Sequence, residues 1–240
     1  MSDPIFALWV YLSKTPLLWL TVTLAVYCLA DWFSQATGRH PLANPVLHAV
    51  WILALLLAIT GTGYKTYFDG AQFVHFLLGP ATVALAIPLY EHRDKVLRVL
   101  LPMTAALLCG SLTAILSALL VAHLLGVPRA VLIALAPKSV TAAVAMGITQ
   151  SLGGDPALTA VLVILTGITG GIVVTPLMNA LGIGDWRARG FAAGIAAHGI
   201  GTARAFQVHP IAGTFAGIAM GLNALLTAIL VPLVIRWLLP

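Results

Sequence analysis

Residues 100–125 run for 26 positions without an Asp, Glu, Lys or Arg. About 20 such residues of helix cross the ~30 Å hydrocarbon core of a bilayer. Further apolar runs lie at 17–33, 45–60, 157–181 and 211–239. Lipid offers no partner to a backbone N–H or C=O, so runs of this kind fold as helices or as a closed barrel. A barrel alternates polar and apolar residues, and these runs do not. Composition agrees: 8% of residues are charged, against about a quarter in soluble domains. The sequence predicts an all-α polytopic membrane protein. It contains no hydrophilic stretch long enough to form a soluble catalytic module. The opening Met1-Ser2-Asp3-Pro4 has no basic residue, and no small-residue cleavage site follows a short apolar core, so no cleavable signal is expected.

The net charge of +5 lies mostly in short loops. That pattern sets orientation across a membrane, and it is not read as a nucleic-acid surface. Cys28 and Cys109 both fall inside apolar segments, which speaks against a disulfide framework and against a zinc site.

Polar interruptions are the next constraint. Ala136-Pro137-Lys138-Ser139-Val140-Thr141 breaks an apolar run. Proline frees a backbone carbonyl, and a charge at a bilayer centre costs roughly 2.5–3.5 kcal/mol on insertion scales. Both are tolerated where irregular backbone lines a cavity, the arrangement of transporter binding sites. The bland alternative is a lysine at a helix end reaching the interface. A second break is His198-Gly199-Ile200-Gly201-Thr202-Ala203-Arg204, and a third is Gly79-Pro80-Ala81-Thr82.

These features order the chain into two related halves, 1–127 and 128–240. The first has its break at 79–82, the second at 137–141 and 198–204. Leu-Thr-Ala-Ile-Leu recurs at 112–116 and 226–230. The loops 91–98 and 182–190 are both basic and should share the cytoplasmic side, yet three apparent spans separate them. One segment must fail to cross, and the candidate is 129–150, folded about Pro137. The halves then become inverted repeats, with discontinuous or re-entrant helices crossing near the bilayer midplane.

The candidate site follows from the breaks. In a continuous helix His198 and Arg204 would lie on different faces, about 120° apart, since six residues turn about 600°; a break at 199–201 removes that restriction. Arg204 offers a planar fork suited to a carboxylate. His198 can share a proton near neutral pH. Gly199 and Gly201 amides at a half-helix N-terminus attract anions, and Thr202 adds a hydroxyl. Lys138 supplies a second cation beside the donors Ser139 and Thr141. Gly79 and Thr82 complete the set from the first half. Asn223, the amide inside the last span, either bridges helices or lines the site. Two cations in the membrane with almost no carboxylate imply a small anionic partner. Asp31 is the main acidic exception; it either pairs with an Arg or Lys or faces the interface, and the interface is the reading taken. His75 and His123 lack polar company and read as structural. Enzyme motifs are absent: no His-Glu-x-x-His, no Gly-x-Ser-x-Gly and no Walker-type phosphate loop occurs. No enzyme activity and no cofactor is expected. A proton or a sodium ion is open as coupling ion.

The chain resembles the LrgB/CidB family, which is linked to the plastid glycolate/glycerate translocator of plants. The resemblance rests on Phe76-Leu77-Leu78-Gly79-Pro80-Ala81-Thr82-Val83-Ala84-Leu85-Ala86-Ile87-Pro88-Leu89-Tyr90, on Ala136-Pro137-Lys138-Ser139-Val140-Thr141, and on Ala197-His198-Gly199-Ile200-Gly201-Thr202-Ala203-Arg204-Ala205. Ala142 and Ala143 stand where the family often has a second hydroxyl and a proline. The resemblance implies a multi-pass protein of the bacterial cytoplasmic membrane, in contact with lipid, with a small LrgA/CidA-type membrane protein as partner or as a homo-oligomer. It implies two competing functions. One is a holin- or antiholin-like role in murein hydrolase regulation and lysis. The other is carriage of glycolate, glycerate or pyruvate, which the charged breaks favour.

Overall fold

The computed structural model describes residues 16–77, 80, 83, 84, 87, 90, 93, 97 and 99–238. Gly79 and Thr82, where the first-half break is predicted, lie outside the described residues, as does the side chain of His75. The described secondary structure is helical throughout. Four of its helices are long and apolar enough to cross a membrane, and the protein is a membrane protein. Two compact units, Met1–Ala84 and Leu85–Pro240, form.

In the first unit α1 (Pro16–Ala36) packs against α2 (Pro45–Thr60) and α3 (Tyr64–Phe76). The core is Val26, Ala30 and Ala49, flanked by Val22, Ile52, Leu53 and Leu56. Asn44 caps α2, its side-chain oxygen accepting from Val46 N at 2.9 Å and Leu47 N at 3.2 Å. Pro45 takes the first helical position, where its missing N–H costs nothing. Residues 61–70 read as a polar loop in the sequence, but the helix already starts at Tyr64. The reason is tertiary: Tyr67 meets buried Trp19 edge-on, with ring centroids 5.9 Å apart. Asp31 accepts from Gln35 at 2.6 Å and lies 3.8 Å from Arg39, so it is paired within its own unit.

The second unit holds α4 (Leu100–Leu124), α5 (Arg129–Leu135), α6 (Ala142–Ser151), α7 (Pro156–Ala180), α8 (Trp186–Val208) and α9 (Pro210–Leu238). Asp155 caps α7 through Ala157 N. Asp185 caps α8 through Arg187 N and also grips the Arg187 guanidinium, which holds its carboxyl below the usual carboxylate range.

Neither helix within residues 129–151 is long enough to cross a membrane. α5 has 7 residues and α6 has 10, about 10 and 15 Å of helix. Between them the chain turns at 136–141, held by Lys138 N donating to Leu135 O at 3.1 Å and Val140 N to Pro137 O at 3.2 Å. Ile133 and Ile148 return to one apolar cluster.

α8 also reverses. Ala197 and His198 leave helical geometry, one to two residues before the glycines expected to carry the break. A straight helix would separate residues 186 and 209 by about 34 Å. Instead the Trp186 and His209 rings stack at 4.8 Å, and Ala193 and Ala205 share one cluster. α8 is a helical hairpin with arms 186–196 and 199–208 and its tip at His198.

Small residues let this hairpin sit on α9. An added Cβ on Gly194 would strike the Ala216 carbonyl and come within 2.9 Å of Ala219 Cβ. Close backbone approach of this kind is how helices associate in lipid. Gly194→Leu should therefore cost more than the ~1–3 kcal/mol usual for overpacking, because backbone is the obstacle. In detergent the variant should lose its monodisperse peak on size exclusion; an unchanged peak and Tm would refute the packing described.

Candidate functional site

The two reversals meet. Asn223 lies near the middle of α9 and is 1% exposed. Its amide nitrogen donates to Ser139 O at 3.3 Å, in the first turn, and to Ile195 O at 3.1 Å, at the tip of α8. Its oxygen accepts from Ser111 Oγ at 2.6 Å and Thr227 Oγ1 at 3.2 Å. All four hydrogen bonds of the amide are made inside the protein. Of the two roles open in the sequence, this geometry is that of a bridge. Val163 on α7 joins the tips a second time: its side chain packs on Val140, and its carbonyl faces His198.

Lys138 is half-buried in the first turn, and its Nζ donates to Ser139 Oγ at 3.3 Å. Among the described residues no Asp or Glu lies within ion-pair distance of it. It borders an open groove of about 420 Å³, apolar for the most part, whose other walls are Leu162, Leu165, Thr166, Thr169, Gly170 and Val173 of α7 and Ala196 of α8.

His198 has φ 40° and ψ −133°, a left-handed conformation that costs a non-glycine residue about 1–3 kcal/mol. Its surroundings hold it there. Nε2 is 2.9 Å from Val163 O, so this nitrogen carries the hydrogen and donates. Gly167 leaves room for the ring, since a Cβ there would lie 2.6 Å from Cε1. Thr202 Oγ1 donates to His198 O at 2.9 Å, within the returning arm.

Arg204 is buried on that arm, with Nη1 donating to Gln207 Oε1 at 3.5 Å. It does not line the Lys138 cleft. Lys138 and Ser139 thus stand together, His198, Gly199, Gly201 and Thr202 surround the second tip, and Arg204 sits toward the far end of the α8 hairpin. Thr141 begins α6 without a side-chain capping bond. The two α7 hydroxyls escaped the sequence reading, because Thr166 and Thr169 lie in a run of small residues that reads as helix packing. Their spacing of three, on the face opposite a charged break, was the available signal.

The LrgB-like family matches residues 23–237 of this sequence. The chain belongs to that family. Among its relatives is the protein called "Holin-like protein CidB" of Staphylococcus epidermidis, 30% identical over 218 residues, which are 91% of this chain and 95% of the relative. The protein of the same name in Staphylococcus aureus is 31% identical over 219 residues, with the same shares of each chain. An uncharacterized protein of Bacillus subtilis, YwbG, is 33% identical over 218 residues, 91% of this chain and 96% of its own. No solved structure matches. Both broken segments of the LrgB-like chain, 136–141 and 197–204, fall inside the region the family covers.

Proposed function

We propose that this LrgB-like protein is a secondary carrier of small organic monocarboxylates, of the glycolate, glycerate and pyruvate type, working by alternating access. The observation that carries the reading is Lys138, a half-buried cation with no carboxylate within ion-pair distance among the described residues, beside an open groove that also holds the Thr166 and Thr169 hydroxyls. A cation in a membrane protein is costly unless it serves an anion or an ion path. The returning arm of α8 begins at the same tip, and the first-turn amides of a helix add positive potential there.

On this reading 129–151 and 186–208 are re-entrant hairpins that enter from opposite faces, and their tips meet at the midplane. The basic loops 91–98 and 182–190 then share one side, as the positive-inside rule asks. The chain remains two inverted repeats, 1–127 and 128–240. Within the second, a hairpin followed by a long helix occurs twice, 129–180 and 186–238, in opposite senses. On this reading Arg204 guards one approach. His198 would serve a coupled proton, or freed carbonyls at the breaks a sodium ion. The protein is placed in the bacterial cytoplasmic membrane, alone, as a homo-oligomer or with a small LrgA/CidA-type partner.

A second reading has a specific support of its own. The staphylococcal relatives are named holin-like, and that name favours a holin- or antiholin-like role in lysis control, while none of the relatives' names points to a substrate. The test separates the two. The purified chain is reconstituted in liposomes and uptake of labelled glycolate, glycerate and pyruvate is measured with and without a pH or sodium gradient. Saturable, gradient-dependent uptake is the expected result. Leak of an unrelated dye without saturable uptake would establish the holin-like reading in its place.

A further inference from the structure

We propose, resting on the carrier reading, that the tip of α8 is a gate beside the Lys138 groove and that His198 is its catch.

His198 stands in backbone that suits glycine. Its φ of 40° and ψ of −133° lie close to those of the first central residue of a type II′ turn, a place dominated by glycine. Gly199 follows directly and has no positive φ of its own. The chain thus puts an imidazole where a bare Cα would relieve the backbone. Strain of this kind persists only where the surroundings over-determine it.

Here α7 supplies the surroundings. Gly167 and Gly170 form a notch on one face of that helix. An added Cβ on Gly167 would lie 2.6 Å from His198 Cε1 and 2.8 Å from Ile200 Cδ1, and one on Gly170 would strike Ala197 Cβ. The tip is seated in this notch, and a side-chain bond fastens it, with His198 Nε2 donating to Val163 O at 2.9 Å. Ile195 O, just before the tip, is tied to Asn223, so the arm up to residue 195 stays on α9 and the pivot lies at 196–199. Ala196 and Gly170 both border the groove beside Lys138. A tip that leaves the notch carries Ala196 away from that wall. Backbone strain pushes the tip out, while the bond and the notch hold it in. A joint loaded against its own catch is an element that switches between two arrangements.

The experiment is hydrogen–deuterium exchange of the full chain in lipid nanodiscs, read at amides 196–202 with and without glycolate, beside the liposome uptake assay. In the wild type glycolate should change exchange at 196–202 by about 10-fold, the factor that one hydrogen bond is worth, and leave 210–230 of α9 unmoved. Gly167→Ala puts a methyl group into the space of the His198 ring. Exchange at 196–202 should then rise without glycolate, and uptake should fall. Adding His198→Gly to that variant empties the space and relieves the backbone. Exchange should return to the wild-type rate, while uptake stays low because the catch is gone. Saturable wild-type uptake with exchange at 196–202 untouched by glycolate overturns the gate and leaves the carrier reading standing; this comparison decides alone where Gly167→Ala does not fold. Normal uptake by the double variant overturns the assignment of His198 as catch. A wild-type chain with no saturable uptake overturns both the gate and the carrier reading.

Discussion

Lys138→Met should abolish useful uptake while leaving the fold at least as stable as before. Methionine keeps the length and the flexible apolar stem of lysine, so the turn at 136–141, held by main-chain bonds at Leu135 and Pro137, has no reason to open. Removing a charge from the membrane interior relieves a cost of roughly 2.5–3.5 kcal/mol. What is lost is the charge-assisted contact to the substrate, typically about 1.5–3 kcal/mol, or roughly 10- to 150-fold in affinity. Uptake at low substrate should fall by that factor, with Tm in detergent unchanged or raised. Lys138→Arg should recover part of it, because the charge is kept while the guanidinium fork differs in reach and shape. Normal transport by well-folded Lys138→Met would sink the carrier reading at its central residue. A fall in Tm would instead make Lys138 a structural group whose contact with Ser139 Oγ matters more than its 3.3 Å length implies.

Much of this arrangement was legible in the residues. Spans are written in uncharged length, so α2, α4, α7 and α9 begin and end within one or two residues of the apolar runs. Pro137-Lys138-Ser139 and His198-Gly199-Ile200-Gly201 marked both reversals, since proline and glycine announce where a helix yields. The degree of yielding was not legible. Nothing local distinguishes a kink from a full hairpin in α8; that depends on Ala193 meeting Ala205 and Trp186 stacking on His209, contacts between residues 12 and 23 positions apart. The start of α3 was hidden for a related reason, because Tyr67 is held by Trp19 of another helix. The site was half visible. Charged residues stand out in apolar sequence, so Lys138 and Arg204 were singled out. Their separation into a cleft and a buried arm is a property of the hairpin, and hydroxyls on α7 look like packing until the cleft is seen.

Asn223→Leu should destabilise the protein far more than an ordinary buried hydrogen bond in a membrane would suggest. Interhelical side-chain bonds in lipid average only about 0.6 kcal/mol in double-mutant cycles, because partners are usually found elsewhere. Asn223 is different in what it serves. Ile195 O lies just before the α8 tip and Ser139 O lies in the first turn, where breaks in the helices leave carbonyls without amides of their own. A leucine of similar size would fill the volume and strand both carbonyls, at about 1–3 kcal/mol each. Thr227 and Ser111, which donate to the amide oxygen, can turn back to their own helices and add little. The expected result is a Tm lower by roughly 5–20 °C for a domain of this size, against a shift of a few degrees at most for Thr227→Val. Such a loss would mean that one amide is what allows two broken segments to exist side by side in an apolar interior. A normal Tm with uptake lost would give the opposite meaning. The carbonyls would then be satisfied without Asn223, and its amide would belong to the ligand rather than to the scaffold.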